Sequence, residues 1–464
     1  MDSQAASYLA QMPTEVLLRI TYFLPTPDLS SVRLTCKMIE ESLFVFFTHE
    51  FFRKKQFMLS GPSLQALIGI SAHQTLSPYL RHVIIATDHY ANPYAGFGPS
   101  EKSERLHYRL GLADQLSLTN TGHDRAMLAQ AFRNLPNLET VDIRDFNGRL
   151  RTRDGLNAAW TSYGAPTARR ATRGRMTMVH HARKDYLTHI FTTVLTALAD
   201  AGAHPPNLEV VARDLQWGVY DVAFCIPPWL KPSLTPVLHS LKKLHLVLDF
   251  HKLANGEASE MGPFFLQDFL SYTPNLTWLR LNFNNSPYRF VNRLLSWLAK
   301  PVPDEASPED TLEDPDSVSL PALEKLDLGG LQINAETLVG LVAKFTTLRG
   351  LSLVRTILVD LRFTIQHKVN LWAMFFKWLA EKGKLHDLYL REAQQMRPGT
   401  ADLSSVFPDP VFFRDGPGPA RGRVMQYSGN YMADFLEKKA KEIEVIWPRV
   451  QTDDSSDHDD EDGT

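Results

Sequence analysis

Side chains that could do covalent or metal chemistry are few in this sequence and lie far apart. The chain has 464 residues and two cysteines, Cys36 and Cys225, with one adjacent histidine pair at His180-His181. A zinc site needs three or four convergent ligands, and none follows the histidine pair at a useful spacing. Cys225 lies in the apolar sequence Ala-Phe-Cys-Ile-Pro and Cys36 lies on an apolar helical stripe, and both positions are typical of a packed thiol rather than a nucleophile. The sequence therefore predicts neither a metal site nor a catalytic thiol.

Motifs for phosphate binding and ester hydrolysis are also missing. No glycine-rich loop ends in Gly-Lys-Ser or Gly-Lys-Thr, and no Gly-x-Ser-x-Gly elbow occurs. The stretch Gly416-Pro417-Gly418-Pro419 contains too much proline to cradle a phosphate, and it predicts a turn. These searches identify no candidate catalytic residue, and we expect no cofactor.

Charge is strongly segregated, although the net charge is only −3. Residues 149–184 carry nine bases and one acid, whereas residues 301–318 and 453–462 each carry seven acids and no base. The basic segment could attract nucleic acid or an acidic partner, but Trp160 and Tyr163 supply little aromatic surface for base stacking. A solvated loop is the simpler interpretation, and nucleic-acid binding is a lower-ranked alternative.

Composition favours a globular protein of the cytoplasm, the nucleus or both. Hydrophobic residues make up 44% of the chain and charged residues 22%. No apolar run approaches the roughly 18–20 residues that a membrane span needs, and the N-terminus does not resemble a secretion signal. Two cysteines cannot form a disulfide framework, which fits a reducing compartment.

The first 58 residues predict three short helices. Pro13 suits the first position of a helix, and Pro25-Thr26-Pro27 ends that helix and begins another. A stripe with spacings of three and four residues then predicts one continuous second helix. The stripe consists of Leu29, Val32, Cys36, Ile39 and Leu43. A third, aromatic helix is expected from about Ser42 to Phe57.

This pattern resembles the F-box family. The resemblance rests on Met12-Pro13-Thr14-Glu15-Val16-Leu17, on Asp28-Leu29 and on Thr35-Cys36-Lys37, in the order and spacing of that family. Met12 departs from the leucine usual in the family, Thr35 from its valine, and Ile39 from the tryptophan of many members. The resemblance covers about 45 residues and implies that a Skp-family adaptor of cullin–RING ubiquitin ligases binds here.

The resemblance assigns adaptor contact to a set of mostly apolar residues, some of which must instead pack the three helices together. They are Met12, Pro13, Val16, Leu17, Ile20, Leu24, Leu29, Val32 and Cys36. The sequence does not divide these two roles. An F-box-like helical cap on a larger domain, used for a different contact by a non-ligase scaffold or regulatory protein, is the alternative.

Seven triplets of the form aliphatic-x-x-aliphatic-x-aliphatic follow the helical region and predict short strands. They begin at Leu80, Leu138, Leu241, Leu276, Leu323, Leu348 and Leu385, and a weaker strand is expected at 208–211. Leu323 and Leu348 are 25 residues apart, a usual repeat length, and Glu336–Phe345 between them predicts the helix of that repeat. The region resembles the degenerate leucine-rich repeats of many F-box proteins.

The two resemblances imply an α/β fold with a three-helix F-box at 1–58 and an irregular leucine-rich-repeat solenoid at 59–450. Long unstructured insertions are expected at about 150–178 and 301–318, and an acidic disordered tail at 451–464. A mixed α/β domain of another kind is the alternative for 59–450.

The implied function is that of a non-catalytic substrate-recognition adaptor in a Skp–cullin–F-box (SCF) ubiquitin ligase, with an unknown protein substrate and no membrane contact. The repeat domain would bind the substrate on its strand face or its loops. Candidate residues for that contact are Arg280, Asn282, Lys325, Arg349 and Arg355.

Overall fold

The chain is a mixed α/β protein in a computed structural model, with fourteen α-helices and one fifteen-stranded sheet among the described residues. The structure describes residues 8–9, 11–90, 97–98, 100–148, 152–155, 161–174, 186–213, 217–250, 262–284, 286–302, 315–360, 369–396, 409–414 and 421–446. The predictions made for His180-His181, for Gly416-Pro417-Gly418-Pro419 and for the tail 451–464 lie outside these residues.

Three helices open the chain and pack around a small core of their own. They are α1 (Thr14–Tyr22), α2 (Thr26–Arg33) and α3 (Lys37–Phe51). Pro13 directly precedes α1, and Pro27 lies in the first turn of α2, where a missing N–H costs no hydrogen bond. The core contains Leu17, Leu29, Ile39, Leu43 and Phe51. We call residues 11–53 the helical module.

The second and third predicted helices differ from the observed ones. The chain is extended at Cys36, with φ −159° and ψ 158°, so the predicted second stripe is divided between α2 and α3. The helix predicted to reach Phe57 ends at Phe51, and the next residues form a strand. The reason is tertiary: Phe57 pairs with Ile85 in a neighbouring strand and is fully buried there.

Strands make up the framework of the remaining chain. They are β1 (Lys54–Met58), β2 (His82–Ala86), β3 (Thr140–Arg144), β4 (Asn207–Val211), β5 (Val219–Tyr220), β6 (Lys243–Asp249), β7 (Trp278–Phe283), β8 (Lys325–Asn334), β9 (Gly350–Val359), β10 (Asp387–Arg391), β11 (Gln394–Met396), β12 (Asp409–Arg414), β13 (Arg421–Gly422), β14 (Val424–Ser428) and β15 (Glu444–Val445). The order β1-β2-β3-β4-β6-β7-β8-β9 is parallel throughout, and β9 continues in parallel to both β10 and β11. β12 pairs antiparallel with β11, and β14 pairs antiparallel with β10.

The predicted aliphatic triplets align across this sheet. Their second members, together with Leu208 of the weaker strand, form one row of paired residues: Val83, Val141, Leu208, Leu244, Leu279, Leu326, Leu351 and Leu388. Side chains two residues further along each strand form a second buried row. Because strand side chains alternate between faces, these rows lie on one face and the intervening residues on the other. The strand predictions, including the weak one at 208–211, are confirmed.

The helices beyond the module are α4 (Gly61–Ala72), α5 (Lys102–Asn120), α6 (His123–Arg133), α7 (Ala165–Ala171), α8 (Tyr186–Ala201), α9 (Lys231–Ser240), α10 (Phe264–Ser271), α11 (Tyr288–Ala299), α12 (Ala335–Lys344), α13 (Leu371–Lys382) and α14 (Met432–Glu442). All of them except α7 pack on the leucine face of the sheet and close the main core, whereas α7 packs in a small separate cluster with Met58, Tyr90 and Tyr108. The repeat helix predicted at Glu336–Phe345 is confirmed as α12. Within the described ranges, no helix combines the length and apolarity that a bilayer crossing requires.

The insertion predicted to be unstructured at 150–178 is wrong where the structure describes it. A short 3-10 turn spans Thr152–Asp154, and α7 follows at Ala165–Ala171. Tyr163 forms a bridge with Phe57 beside the first strand. Local composition predicted a loop. It does not reveal the contacts that order these residues, because those contacts come from distant parts of the chain.

The chain bends in β8, in β9 and between β10 and β11, at neighbouring positions in the register of the sheet. Gly330 in β8, Arg355 in β9 and Glu392 between β10 and β11 have positive φ angles of 66°, 50° and 55°. Gly330 is the most constrained, since a Cβ there would lie 2.5 Å from the carbonyl oxygen of Phe283. The bend allows β8 and β9 to pair again beyond it, from Leu331 opposite Thr356 onwards.

Gly330→Ala should lower the free energy of unfolding by about 2 kcal/mol, because the side chain adds both a backbone clash and left-handed strain. Gly69→Ala is the matched control: Gly69 lies in α4 with nothing within 4 Å of an added Cβ. That control should stabilise the protein by up to about 1 kcal/mol through helix propensity. Chemical denaturation measures both variants, and equal effects in the two would contradict the constraint at Gly330.

Candidate functional site

The nine residues assigned to adaptor contact separate into packed and exposed groups. Leu17 and Leu29 are buried in the module core, and Leu24 and Val32 pack against it while partly exposed. The exposed group contains Met12, Pro13, Val16, Ile20 and Cys36. The division follows helical geometry, since Val16 and Ile20 lie one turn apart on the side of α1 that faces away from the core.

An apolar stripe therefore runs along the outside of α1. It is formed by Met12, Val16, Ile20 and Phe23, whose side chains are 36%, 44%, 40% and 66% exposed. Leu34, after α2, is 85% exposed. A cluster of exposed apolar side chains on one small module is typical of a protein-binding surface, since burying them releases about 25 cal/mol per Å². We call these four residues, two in α1 and one beyond each of its ends, the apolar stripe.

Two residues of the basic segment hold the helical module in place. Arg153, with a side chain only 5% exposed, donates to both carboxylate oxygens of Glu50 at 2.6 Å. It also donates to the carbonyl oxygens of Thr21 (2.8 Å) and Leu24 (2.7 Å) at the end of α1. Asp154 accepts from the backbone N–H and the hydroxyl of Thr26 at the start of α2. We call Arg153 and Asp154 the clamp.

The clamp complements the ends of both helices. A guanidinium beside the carbonyls at a helix C-terminus, and a carboxylate at a helix N-terminus, each satisfy backbone groups that the helix itself leaves unpaired. The turn between α1 and α2, and with it the apolar stripe, is thereby fixed relative to the rest of the protein.

Other bases of the segment are paired as well. Arg169 lies 2.7 Å from Asp88, and Arg173 lies 2.8 Å from Glu104. Arg170 is exposed on α7. Three of the four bases that the structure describes between 149 and 184 are therefore neutralised by acids outside the segment, which reduces their capacity to attract a phosphate backbone.

A second surface lies on the strand face opposite the helices. A cavity of about 550 Å³ crosses β7, β8, β9, β10 and β14. Its polar and aromatic lining comprises Trp278, Arg280, Asn282, Lys325, Asp327, Ser352, Asp387, Tyr389, Gln426 and Tyr427. Gly350 lies between Lys325 and Asp387 in the register, so the missing side chain deepens the cavity at that point. We call this the strand-face cavity.

Trp278 forms one wall of this cavity, and three cationic side chains lie around its ring. Lys243, Lys325 and Arg280 place their charged groups 4.5, 5.3 and 5.4 Å from the centre of its ring. Cations so close to an indole face are attracted by its quadrupole. Asp327 Oδ2 accepts from Trp278 Nε1 at 3.0 Å and from Arg280 Nε and Nη2 at 2.8 and 2.6 Å.

The cations around Trp278 differ in how they are balanced. Lys243 pairs with Glu209 at 2.8 Å and Arg280 pairs with Asp327 at 2.6 Å. Within the described ranges, Lys325 has no carboxylate within ion-pair distance and its side chain is exposed. Its charge therefore remains available at the surface.

Asp387 forms the opposite wall. The hydroxyl of Ser428 donates to this carboxylate and holds its pKa below the usual range, with smaller contributions from His386 and Lys325. The carboxyl is thus ionised across the neutral range, so the cavity has a cationic wall at Trp278 and an anionic one at Asp387.

His245 lies behind Trp278 as a buried neutral imidazole. Its ring packs edge-on against the indole, with ring centres 4.7 Å apart. Burial, together with the charges of Arg280 and Lys243, lowers the pKa of His245 to about 2. Glu209 lies 3.8 Å away, but Lys243 already engages its charge.

The five candidate substrate residues do not all meet. Arg280, Asn282 and Lys325 line the strand-face cavity, whereas Arg349 and Arg355 do not. Arg349 lies directly before β9. It is two residues before Leu351, so the period of two places it with the leucines and not with the residues of the opposite face. Arg355 lies at the positive-φ bend, beyond the cavity. For both, the alternation of strand side chains breaks down.

Sequence reasoning missed Trp278, Tyr389 and the clamp. Trp278 and Tyr389 occupy alternating positions next to the buried leucines, so the period of two could have found them. No local signal identifies Arg153 and Asp154, whose partners are more than 100 residues away.

The two cysteines differ from the prediction of packed thiols, because both are exposed. Burial and the neighbouring Asp268 and Asp221 still raise the pKa of Cys225, which disfavours the reactive thiolate. Among the residues that the structure describes, no group of three or more potential metal ligands occurs.

No protein-family model and no curated protein matches this chain. Among solved structures, it is similar to the leucine-rich repeat-containing protein LegL7 from Legionella pneumophila, with 13% sequence identity. The similarity covers 71% of this chain and 98% of that protein, with a TM-score of 0.20. A TM-score of this size does not establish a shared fold.

Arg153→Ala should destabilise the helical module by about 3 kcal/mol, because it leaves Glu50 and two carbonyl oxygens without their donor. Hydrogen exchange of α1 and α2 amides should quicken accordingly. Arg170→Ala, a substitution of an exposed arginine in α7, is the control and should leave exchange unchanged. Equal exchange in the two variants would show that the clamp does not secure the module.

The buried His245 should make the fold sensitive to acid. The unfolded chain takes up a proton near pH 6.5 and the folded chain only near pH 2, so stability is retained above 6.5 and lost below it. His245→Asn removes this contribution. The stability advantage of the native protein over the variant should shrink by about 2 kcal/mol between pH 7 and pH 5. A difference that stays constant in urea titrations across this range would refute the assignment.

Proposed function

We propose that this chain is a substrate-recognition adaptor of an SCF-type ubiquitin ligase. In this proposal the helical module is an F-box that binds a Skp-family adaptor, and the remaining domain is a leucine-rich-repeat solenoid that binds a protein substrate. The chain makes and breaks no bonds itself. It raises the effective concentration of a substrate lysine near a conjugating enzyme that other subunits carry.

The apolar stripe is the observation that carries the proposal. The F-box-like residues that are not needed for the module core, Val16 and Ile20 above all, are exposed together on one helix face. An isolated helical cap has no reason to expose them, since each exposed apolar side chain forgoes burial energy. A partner that covers them accounts for their position.

The proposal of a repeat solenoid is supported by the register of the sheet. Eight parallel strands, β1 to β4 and β6 to β9, follow one another in sequence order, and a row of aliphatic residues runs through the pairings from β2 to β9. Each strand–helix unit leaves its leucines unburied unless a neighbouring unit stacks on it. The intervals between units vary, as expected for irregular repeats with insertions.

Nucleic-acid binding through the basic segment ranks below this proposal. Arg153, Arg169 and Arg173 form ion pairs with Glu50, Asp88 and Glu104, respectively, so their charges are already neutralised. The non-ligase scaffold stays the main alternative, and it differs in predicting that no Skp-family adaptor binds.

Val16→Asp combined with Ile20→Asp should abolish co-purification with a recombinant Skp-family adaptor. The measured affinity for that adaptor should fall at least about tenfold. Two carboxylates would be desolvated in an apolar interface, whereas the free module should stay folded because both positions are exposed.

Leu110→Asp is the matched control, since Leu110 is 59% exposed on α5, outside the module. It should bind the adaptor like the native chain, and circular dichroism should show equal melting for all variants. Failure of the native chain to bind any Skp-family adaptor, or unaltered binding by the double variant, would favour the scaffold alternative.

A further inference from the structure

We infer that the strand-face cavity binds an extended peptide segment that carries acidic side chains. The inference rests on the proposed function in that it names the substrate class for the surface proposed above. Its own evidence is the shape, the charge and the hydrogen-bonding groups of the cavity.

The dimensions of the cavity suit an extended chain. It crosses five strands, β7, β8, β9, β10 and β14, whose spacing of about 4.8 Å gives a length of roughly 19 Å. At about 3.3 Å per residue, an extended peptide of about six residues spans it. Gly350 and Ser352 form a low floor between the larger side chains of the flanking strands.

Charge favours an acidic ligand. The charged side chains of the lining are two bases and two acids, Arg280 and Lys325 against Asp327 and Asp387. Arg280 pairs with Asp327 at 2.6 Å. Asp387 accepts from the Ser428 hydroxyl and lies 3.4 Å from His386. Lys325, the exposed cation without an ion-pair partner among described residues, lies at the cavity wall itself.

The hydrogen-bonding groups suit a peptide. Asn282, Ser352 and Gln426 line the cavity with groups that both donate and accept, as the backbone of an extended peptide requires. Lys325 can pair with one carboxylate of the ligand, while the hydrocarbon part of its side chain covers neighbouring apolar atoms.

A nucleic acid fits this cavity less well. Asp327 and Asp387 lie in its lining, where they would repel a continuous row of phosphates. A peptide can space its carboxylates to avoid them. The indole of Trp278 is also occupied, with cations around its ring and its N–H bound to Asp327, so little of it is open for base stacking.

The full-length protein, without any adaptor, is screened against a display library of ten-residue peptides sorted by net charge from −4 to +4. Retained peptides should be enriched in Asp and Glu. Lys325→Glu should reduce that enrichment about tenfold, because it reverses the charge that the ligand meets. Lys377→Glu, on the exposed surface of α13, is the matched control and should leave the enrichment unchanged.

Retained peptides without acidic enrichment, or enrichment equal in the native and Lys325→Glu proteins, would overturn the inference. So would a uridine decamer that displaces the peptides and is itself weakened by Lys325→Glu. Because the screen contains no adaptor, its result is independent of whether the apolar stripe binds a Skp-family protein.

Discussion

The packing of two aliphatic rows against a layer of helices is the constraint on which the remaining structure depends. In a parallel sheet, a shift of one residue would move every leucine from the core to the opposite face. The rows through Leu244, Leu279 and Leu326, and through the residues two positions further on, therefore fix the register of all strands. The register in turn decides which residues face outward, and it places Trp278 beside Lys325 and Asp327 beside Arg280.

The helical module depends on that framework in a different way. Its core of five buried side chains is small, and small cores supply little stability by themselves. The clamp compensates by satisfying the ends of α1 and α2 from a segment that belongs, in sequence, to the sheet domain. The module can therefore leave its apolar stripe exposed and still hold a defined orientation, which a docking surface needs.

The two proposed binding surfaces use different physics. The apolar stripe would gain its energy from burial of hydrocarbon, which is insensitive to salt. The strand-face cavity combines aromatic, amide and charged groups, and Lys325, which has no ion-pair partner among the described residues, makes the charge of the ligand the basis of selection. A chain of this design can hold a permanent partner at one end and exchange ligands at the other.

The sequence by itself determined the periodic features: the seven strand triplets and the helices α1 and α12. These follow from local alternation and helical spacing, which nearby residues encode. Only the tertiary structure decided the rest. Phe57 joined a strand because Ile85 was there to pair with it, and Cys36 became a break between helices. Arg153 became a buried ion-pair partner of Glu50 although its neighbours predicted a solvated loop. Such contacts join residues far apart in the chain, and their energy exceeds the conformational preference of the local sequence. No local pattern therefore predicts them.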